Sequence, residues 1–306
     1  MGAHPQRQQG SNAAPPRRRL LLCADDYGIS PAVSGAIRDL IARGRLNATS
    51  VMVTAPSFCA AEAAALAEAA GGDSGATAIG LHFTLTAPFR PASAAYRPLA
   101  RDGAFLGLAR TFAAGLRRQL DAPALSAEAE SQFAAFAAAF GRPPDFVDGH
   151  QHVQVLPQVG DAVLAVMSRM APGAWIRQCG RVIPPWRGWS DPKGLLLDRL
   201  SARLRARCAR SGVPTNPAFA GTYDFRRAKD YDALFGRFLQ GLPDGGVVMC
   251  HPGWVDAELQ QLDDFTLMRE REHAFFAGDR FPAVLSANGM ELARRADDTG
   301  AHWPAA

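Results

Sequence analysis

The sequence predicts an α/β fold with a mostly parallel sheet, either open or closed into a barrel. Two observations carry this. Short apolar runs alternate with longer helical patterns from Arg18 onward, the signature of β-α units in series. Four polar clusters each follow directly on one of those apolar runs, as expected when strand ends converge on one face of the sheet. The 306 residues, 48% of them apolar, suffice for one α/β-barrel domain or for two smaller domains.

Residues 1–17 are rich in Gln, Ser, Asn, Pro and Gly and read as a disordered basic tail. The domain is expected over 18–297, with a C-terminal tail over 298–306. Leu20–Ala24 is the first strand. Ser30-Pro31 then supplies an N-cap and a first-turn proline for a helix with Val33, Ile37, Leu40 and Ile41 on its apolar face. Gly44 ends it. Strands are expected at Ser50–Ala55 and Ala78–Leu81, with a helix at Ala60–Ala70 between them. The Pro-rich segment Ala87–Phe105 is too long for an ordinary connection and reads as a loop over a site. Ser126 is expected to cap a helix carrying Phe133, Phe136 and Phe140, stopped by Gly141 and two prolines. Asp145–Asp148 is a strand and Gln158–Met170 a helix. Ala174–Arg177 is a further strand, 180–192 a loop and 193–211 a basic helix. Gly245–Cys250 is a late strand, and helices fill the end. No internal repeat is apparent.

The net charge of +4 owes everything to Arg7, Arg17, Arg18 and Arg19; the rest of the chain balances 29 basic against 29 acidic groups. A neutral body argues against nucleic acid, which needs a basic face on the folded domain. The cysteines (Cys23, Cys59, Cys179, Cys208 and Cys250) are odd in number, with no CxxC pair, as expected of a reducing, cytoplasmic setting. No apolar run is long enough for a transmembrane segment. The arginines before Leu20-Leu21-Leu22 mimic a signal sequence, but Asp25-Asp26 interrupts the apolar stretch too early.

The four clusters are Asp25-Asp26-Tyr27-Gly28, Gly80-Leu81-His82, Asp148-Gly149-His150-Gln151-His152 and Cys250-His251-Pro252. Each alone has a plain structural reading: a helix cap, a hydrogen-bonded histidine, a turn. Together they place four of the chain's seven histidines at strand ends, which favours a site. In Asp-x-His-x-His, alternate residues of an extended chain would face one side. His273, within Arg269-Glu270-Arg271-Glu272-His273, reads as part of a solvated helix face.

The motif set resembles the YdjC-like carbohydrate deacetylases, the group with chitooligosaccharide and hopanoid-associated deacetylases. The matching residues are Ala24 to Gly28, with Tyr27 where the family has phenylalanine; Gly80 to Thr86; Asp148 to Gln154, with Gln154 in place of a last histidine; and Met249 to Pro252. The resemblance runs from about residue 18 to 295. It implies a distorted (β/α) TIM-like barrel related to the polysaccharide deacetylases. It also implies one divalent metal on Asp26, His82 and His150, and an N-acetylated carbohydrate as substrate.

Two imidazoles and a carboxylate suit Zn²⁺ or Mg²⁺. Amide hydrolysis also needs a general base and a proton for the amine. Asp25 is the expected base, with Arg177 as its orienting cation, and His251 the expected acid. His152, Tyr27 and Trp254 are expected to touch substrate or support the site, with Trp186, Trp189 and Tyr223 as further aromatic candidates for a sugar platform. Two other readings stay open: another metal-dependent hydrolase such as a phosphoesterase, and a non-catalytic carbohydrate-binding protein on the same fold. A homodimer is expected from the resemblance and the apolar content of Phe219–Phe238.

Overall fold

The computed structural model describes residues 16–71, 77–182, 191–225 and 230–293. Eight parallel strands form one curled sheet: β1 (Arg18–Tyr27), β2 (Ala48–Val51), β3 (Ala78–Phe83), β4 (Phe146–Gly149), β5 (Trp175–Ile176), β6 (Phe219–Ala220), β7 (Gly246–Cys250) and β8 (Met290–Leu292). The order is β5-β4-β3-β2-β1-β7-β6, and β8 pairs with the first residues of β1. Isolated parallel bridges at Ile176–Thr215 and Arg181–Phe219 link the chain beyond β5 to the segment running into β6. The eighth strand therefore sits at the foot of β1 and not in the ring. That is the distortion of the barrel: an α/β architecture of the expected class, with seven short strands around the core.

Helices cover the outside. α1 (Pro31–Ala42) starts where Ser30 Oγ accepts the Val33 N–H. α2 (Ala60–Ala69), α3 (Leu108–Leu116), α4 (Ala122–Phe140), α5 (Pro157–Met170), α6 (Pro192–Ser211), α7 (Tyr231–Leu239), α8 (Ala257–Leu262), α9 (Leu267–Ala277) and α10 (Arg280–Ala287) follow. β2, β3, β4 and β7 are buried along their whole length, and β1 from Leu20 onward; Leu20, Leu22, Leu81, Val147, Val247 and Val248 are fully enclosed. A strand covered on both faces needs a continuous apolar run, which is why these runs were legible in the sequence.

Two expectations need correction, and one helix has no counterpart among them. α4 begins at Ala122 and not at Ser126, because Asp121 caps it by accepting the Ala124 N–H and Pro123 occupies the first turn; Gly141, at φ 68°, does close it. The Pro-rich segment Ala87–Phe105 carries no helix or strand, as expected, and α3, which follows it, has no counterpart in the sequence reading. The Asp-x-His-x-His segment is not extended. The strand stops at Gly149, and His150–Val155 forms a short 3-10 turn in which Gln151 (φ 54°) and His152 (φ 61°) are left-handed. Alternation therefore does not explain how His150 is aimed. Residues 183–190, including Trp186 and Trp189, lie outside the described residues, as do 1–15, 72–76, 226–229 and 294–306.

Candidate active site

Adjacent residues on a strand point to opposite faces, yet Asp25 and Asp26 both face the site. The β1–β2 register shifts between Ala24 and Tyr27, and Asp26 has φ 68°. A bulge with a left-handed residue re-aims a side chain in this way, and such strained backbone clusters at functional sites. Gly80 has a packing reason within Gly-x-His: a Cβ there would collide with the Phe146 ring of the next strand.

Asp26, His82 and His150 are buried and converge. Asp26 Oδ1 lies 3.2 Å from His82 Nε2 and 3.0 Å from His150 Nδ1. A tetrahedral ion with ligand bonds of ~2.0–2.1 Å spaces its ligands by roughly 3.3 Å, so these three atoms fit a divalent metal. The second nitrogen of His82, Nδ1, is 2.7 Å from Asp148 Oδ1 and 3.0 Å from Ser50 Oγ. A carboxylate behind a ligating imidazole fixes the tautomer and turns the other nitrogen toward the ion. Electrostatics agree with the fit. Burial works against a charge on His82, but Asp148, Asp26 and Asp25 raise its pKa to about 10. Buried Asp25, Asp26 and Asp148 face buried Arg177 and Arg269, so the cluster favours one further positive charge.

Arg177 grips Asp25 through both oxygens, Nη1 to Oδ1 at 2.7 Å and Nη2 to Oδ2 at 2.6 Å, and its Nη1 lies 2.9 Å from Asp148 Oδ2. Burial opposes the charge on Asp25, yet Arg177 brings its pKa down to about 2. The Nε2 of His251, at the end of β7, is 3.9 Å from Asp26 Oδ2. Burial lowers the His251 pKa, with Asp26 and Asp25 pulling the other way.

The model of the YdjC-like protein family matches residues 19–287. The chain belongs to that family. It is 34% identical to a human carbohydrate deacetylase, with 90% of each chain covered. It is 30% identical to a chitooligosaccharide deacetylase of Serratia marcescens, covering 79% of this chain and 84% of the relative. Among solved structures it superposes, with a TM-score of 0.67 and 21% identity, on a putative cellobiose-phosphate cleavage protein of Enterococcus faecalis V583, covering 90% of this chain and 97% of that one. At that identity the superposition speaks for the fold of this YdjC-like chain.

The remaining sequence candidates fall in different places. The His152 ring stands edge-on to Phe219, with Nδ1 3.5 Å from Cys179 Sγ. Burial, then Arg177, lowers its pKa to about 3, so it is neutral. The Tyr27 hydroxyl is taken by Glu62 and Arg38 between α1 and α2. The Trp254 ring, 43% exposed, lies against Gly35 and His273. The Tyr223 hydroxyl donates to Glu272.

Four participants escaped the sequence reading. Asp148 stood inside a recognised motif but was not assigned a role. Gln154 is buried, its Nε2 donating to the Arg177 carbonyl, so it supports the backbone that presents the guanidinium. Arg269 and Glu272 come from the run read as a solvated face; both are fully buried. Arg269 Nη2 donates to Asp26 Oδ2 at 2.7 Å. His273 is half-buried, with Nε2 3.1 Å from Asp39 Oδ2.

Proposed function

We propose that this YdjC-like protein hydrolyses the acetamide of an N-acetylated carbohydrate, releasing acetate and the free amine. The observation that carries the reading is one set of atoms. A convergent Asp26–His82–His150 donor triad has an arginine-held carboxylate, Asp25, next to it in the chain and an imidazole, His251, close by. Membership of the family and the names of its relatives agree with it.

Asp26, His82 and His150 would hold the divalent ion, Zn²⁺ or Mg²⁺, which when bound supplies Lewis acidity to a carbonyl and acidifies water. Asp25 takes a proton from the attacking water. Its ion pair with Arg177 keeps it ionised and oriented; Oδ1 accepts from both Arg177 and Cys23, so Oδ2, which accepts from Arg177, retains the second lone pair for that proton. The C–O bond forms first, and the C–N bond breaks as the tetrahedral intermediate collapses. His251 delivers a proton from Nε2 to the departing nitrogen, which would otherwise leave as an amide anion. Water thus contributes OH to the acetyl carbon and H to the amine.

The test is acetate release by Zn²⁺- or Mg²⁺-loaded protein over a panel of N-acetylated mono- and oligosaccharides, with phosphate esters in parallel. Acetate from at least one sugar is expected. Turnover of phosphate esters with no acetate from any sugar would replace this reading with a phosphoesterase; metal binding with no turnover of either would leave a carbohydrate-binding role.

A further inference from the structure

The His251 ring is poorly tethered for a proton donor. Its Nδ1 is buried without a hydrogen-bond partner among the described residues. The ring otherwise rests against Phe265, edge-on at 5.5 Å between centroids. Its placement must therefore come from the backbone that carries it. In His251-Pro252-Gly253 the proline has no N–H, so two donors remain. Both end on α9: His251 N–H donates to Glu272 Oε2 at 2.6 Å, and Gly253 N–H to the Arg269 carbonyl at 3.1 Å.

Arg269 and Glu272 are three residues apart and share one face of the helix. From that face Arg269 also reaches Asp26 Oδ2, with Asp263 at 2.7 Å from the same nitrogen and its Nε on the Phe265 carbonyl. Glu272 is held in turn by the Tyr223 hydroxyl at 2.6 Å. Enclosing a carboxylate away from water is costly even after relaxation, a cost that simple packing of α9 would avoid by using an apolar residue.

We infer that Glu272 is the positioning residue for His251, and that α9, through Glu272 and Arg269, holds the proton donor in register with the metal carboxylate Asp26. This rests on the reading of His251 as the proton donor. It adds a part that no strand-end motif contains.

The experiment compares wild type, Glu272→Gln and His251→Ala, all Zn²⁺-loaded, on an N-acetylglucosamine oligomer and on p-nitrophenyl acetate. The phenolate leaves without a proton; the amine does not. Zn²⁺ affinity is measured separately by chelator competition. Glu272→Gln is expected to keep Zn²⁺ affinity and KM, to lose about 10²-fold in kcat on the amide, the scale of a misplaced reacting group, and to spare the ester. Glu272→Asp, whose carboxylate is withdrawn by one methylene, is expected to show the same split with less risk to folding. Equal loss on both substrates, or loss of Zn²⁺, would overturn the inference and leave Glu272 a structural residue. If His251→Ala itself fails to distinguish amide from ester, the proton-donor reading falls and the inference with it. If His251→Ala distinguishes them and neither Glu272 variant does, only the positioning role falls.

Discussion

Asp25 and Asp26 are neighbours in the chain, yet each meets a different buried arginine and in a different way. Arg177 closes on both oxygens of Asp25, while Arg269 takes only Oδ2 of Asp26 and leaves Oδ1 to the two imidazoles. One carboxylate has its cation on both oxygens; the other is divided between a cation and two imidazoles. Identical side chains thus become suited to different work through what grips them, and the bulge in β1 lets both face the same space.

The largest stability effect is expected at Arg177. Arg177→Met leaves Asp25 and Asp148 buried without their guanidinium and should cost about 3–5 kcal/mol, the range for breaking a buried ion pair from one side. Urea unfolding measures it. Arg269→Met should cost less, because Asp26 keeps two imidazoles and Asp263 is partly exposed; a larger loss than at Arg177 would reverse the comparison.

Next in size is a pH effect on the α9 side. Burial raises the Glu272 pKa from 4.5 to about 7 against the opposing hydrogen bonds of Tyr223 and His251 and the charge of Arg269. The folded state therefore holds that proton more tightly than the unfolded state. The associated stability is complete below about pH 4.5 and lost as pH rises through about 7. Glu272→Gln should flatten the stability profile in that window relative to wild type, as read by denaturant midpoints. An unchanged slope would remove Glu272 as the titrating group.

The smallest effect is expected at Tyr27, whose hydroxyl is turned to Glu62 and Arg38. Tyr27→Phe should cost about 1–3 kcal/mol, the worth of the two hydrogen bonds its hydroxyl makes with Glu62 and Arg38, and leave kcat and KM unchanged. A substantial rise in KM would return this residue to the substrate.

The same contrast explains what could be read in advance. Asp26 and His82 lie at the ends of strands buried on both faces and His150 directly follows one, so an apolar run pointed to each of them. Arg177 follows such a run too. Arg269 and Glu272 had no such signal: Arg-Glu-Arg-Glu-His alternates charge as a solvated helix does, and only the tertiary placement of α9 buries two of its members. The Asp-x-His-x-His segment gave the right neighbourhood by the wrong geometry, because two left-handed residues turn the chain where alternation assumed a strand. The barrel was legible as β-α alternation, but not the displacement of β8, whose three residues carry no distinctive pattern.

The measurement closest to the central claim is bound Zn²⁺ per chain and acetate release from the same samples of Asp25→Asn and Asp26→Asn. The account predicts that Asp25→Asn keeps one ion and loses turnover by about 10²–10⁴-fold, the range for positioned proton transfer, while Asp26→Asn loses both ion and turnover. Loss of the ion from Asp25→Asn, or an undiminished ion in Asp26→Asn, would contradict the division of labour between the two carboxylates.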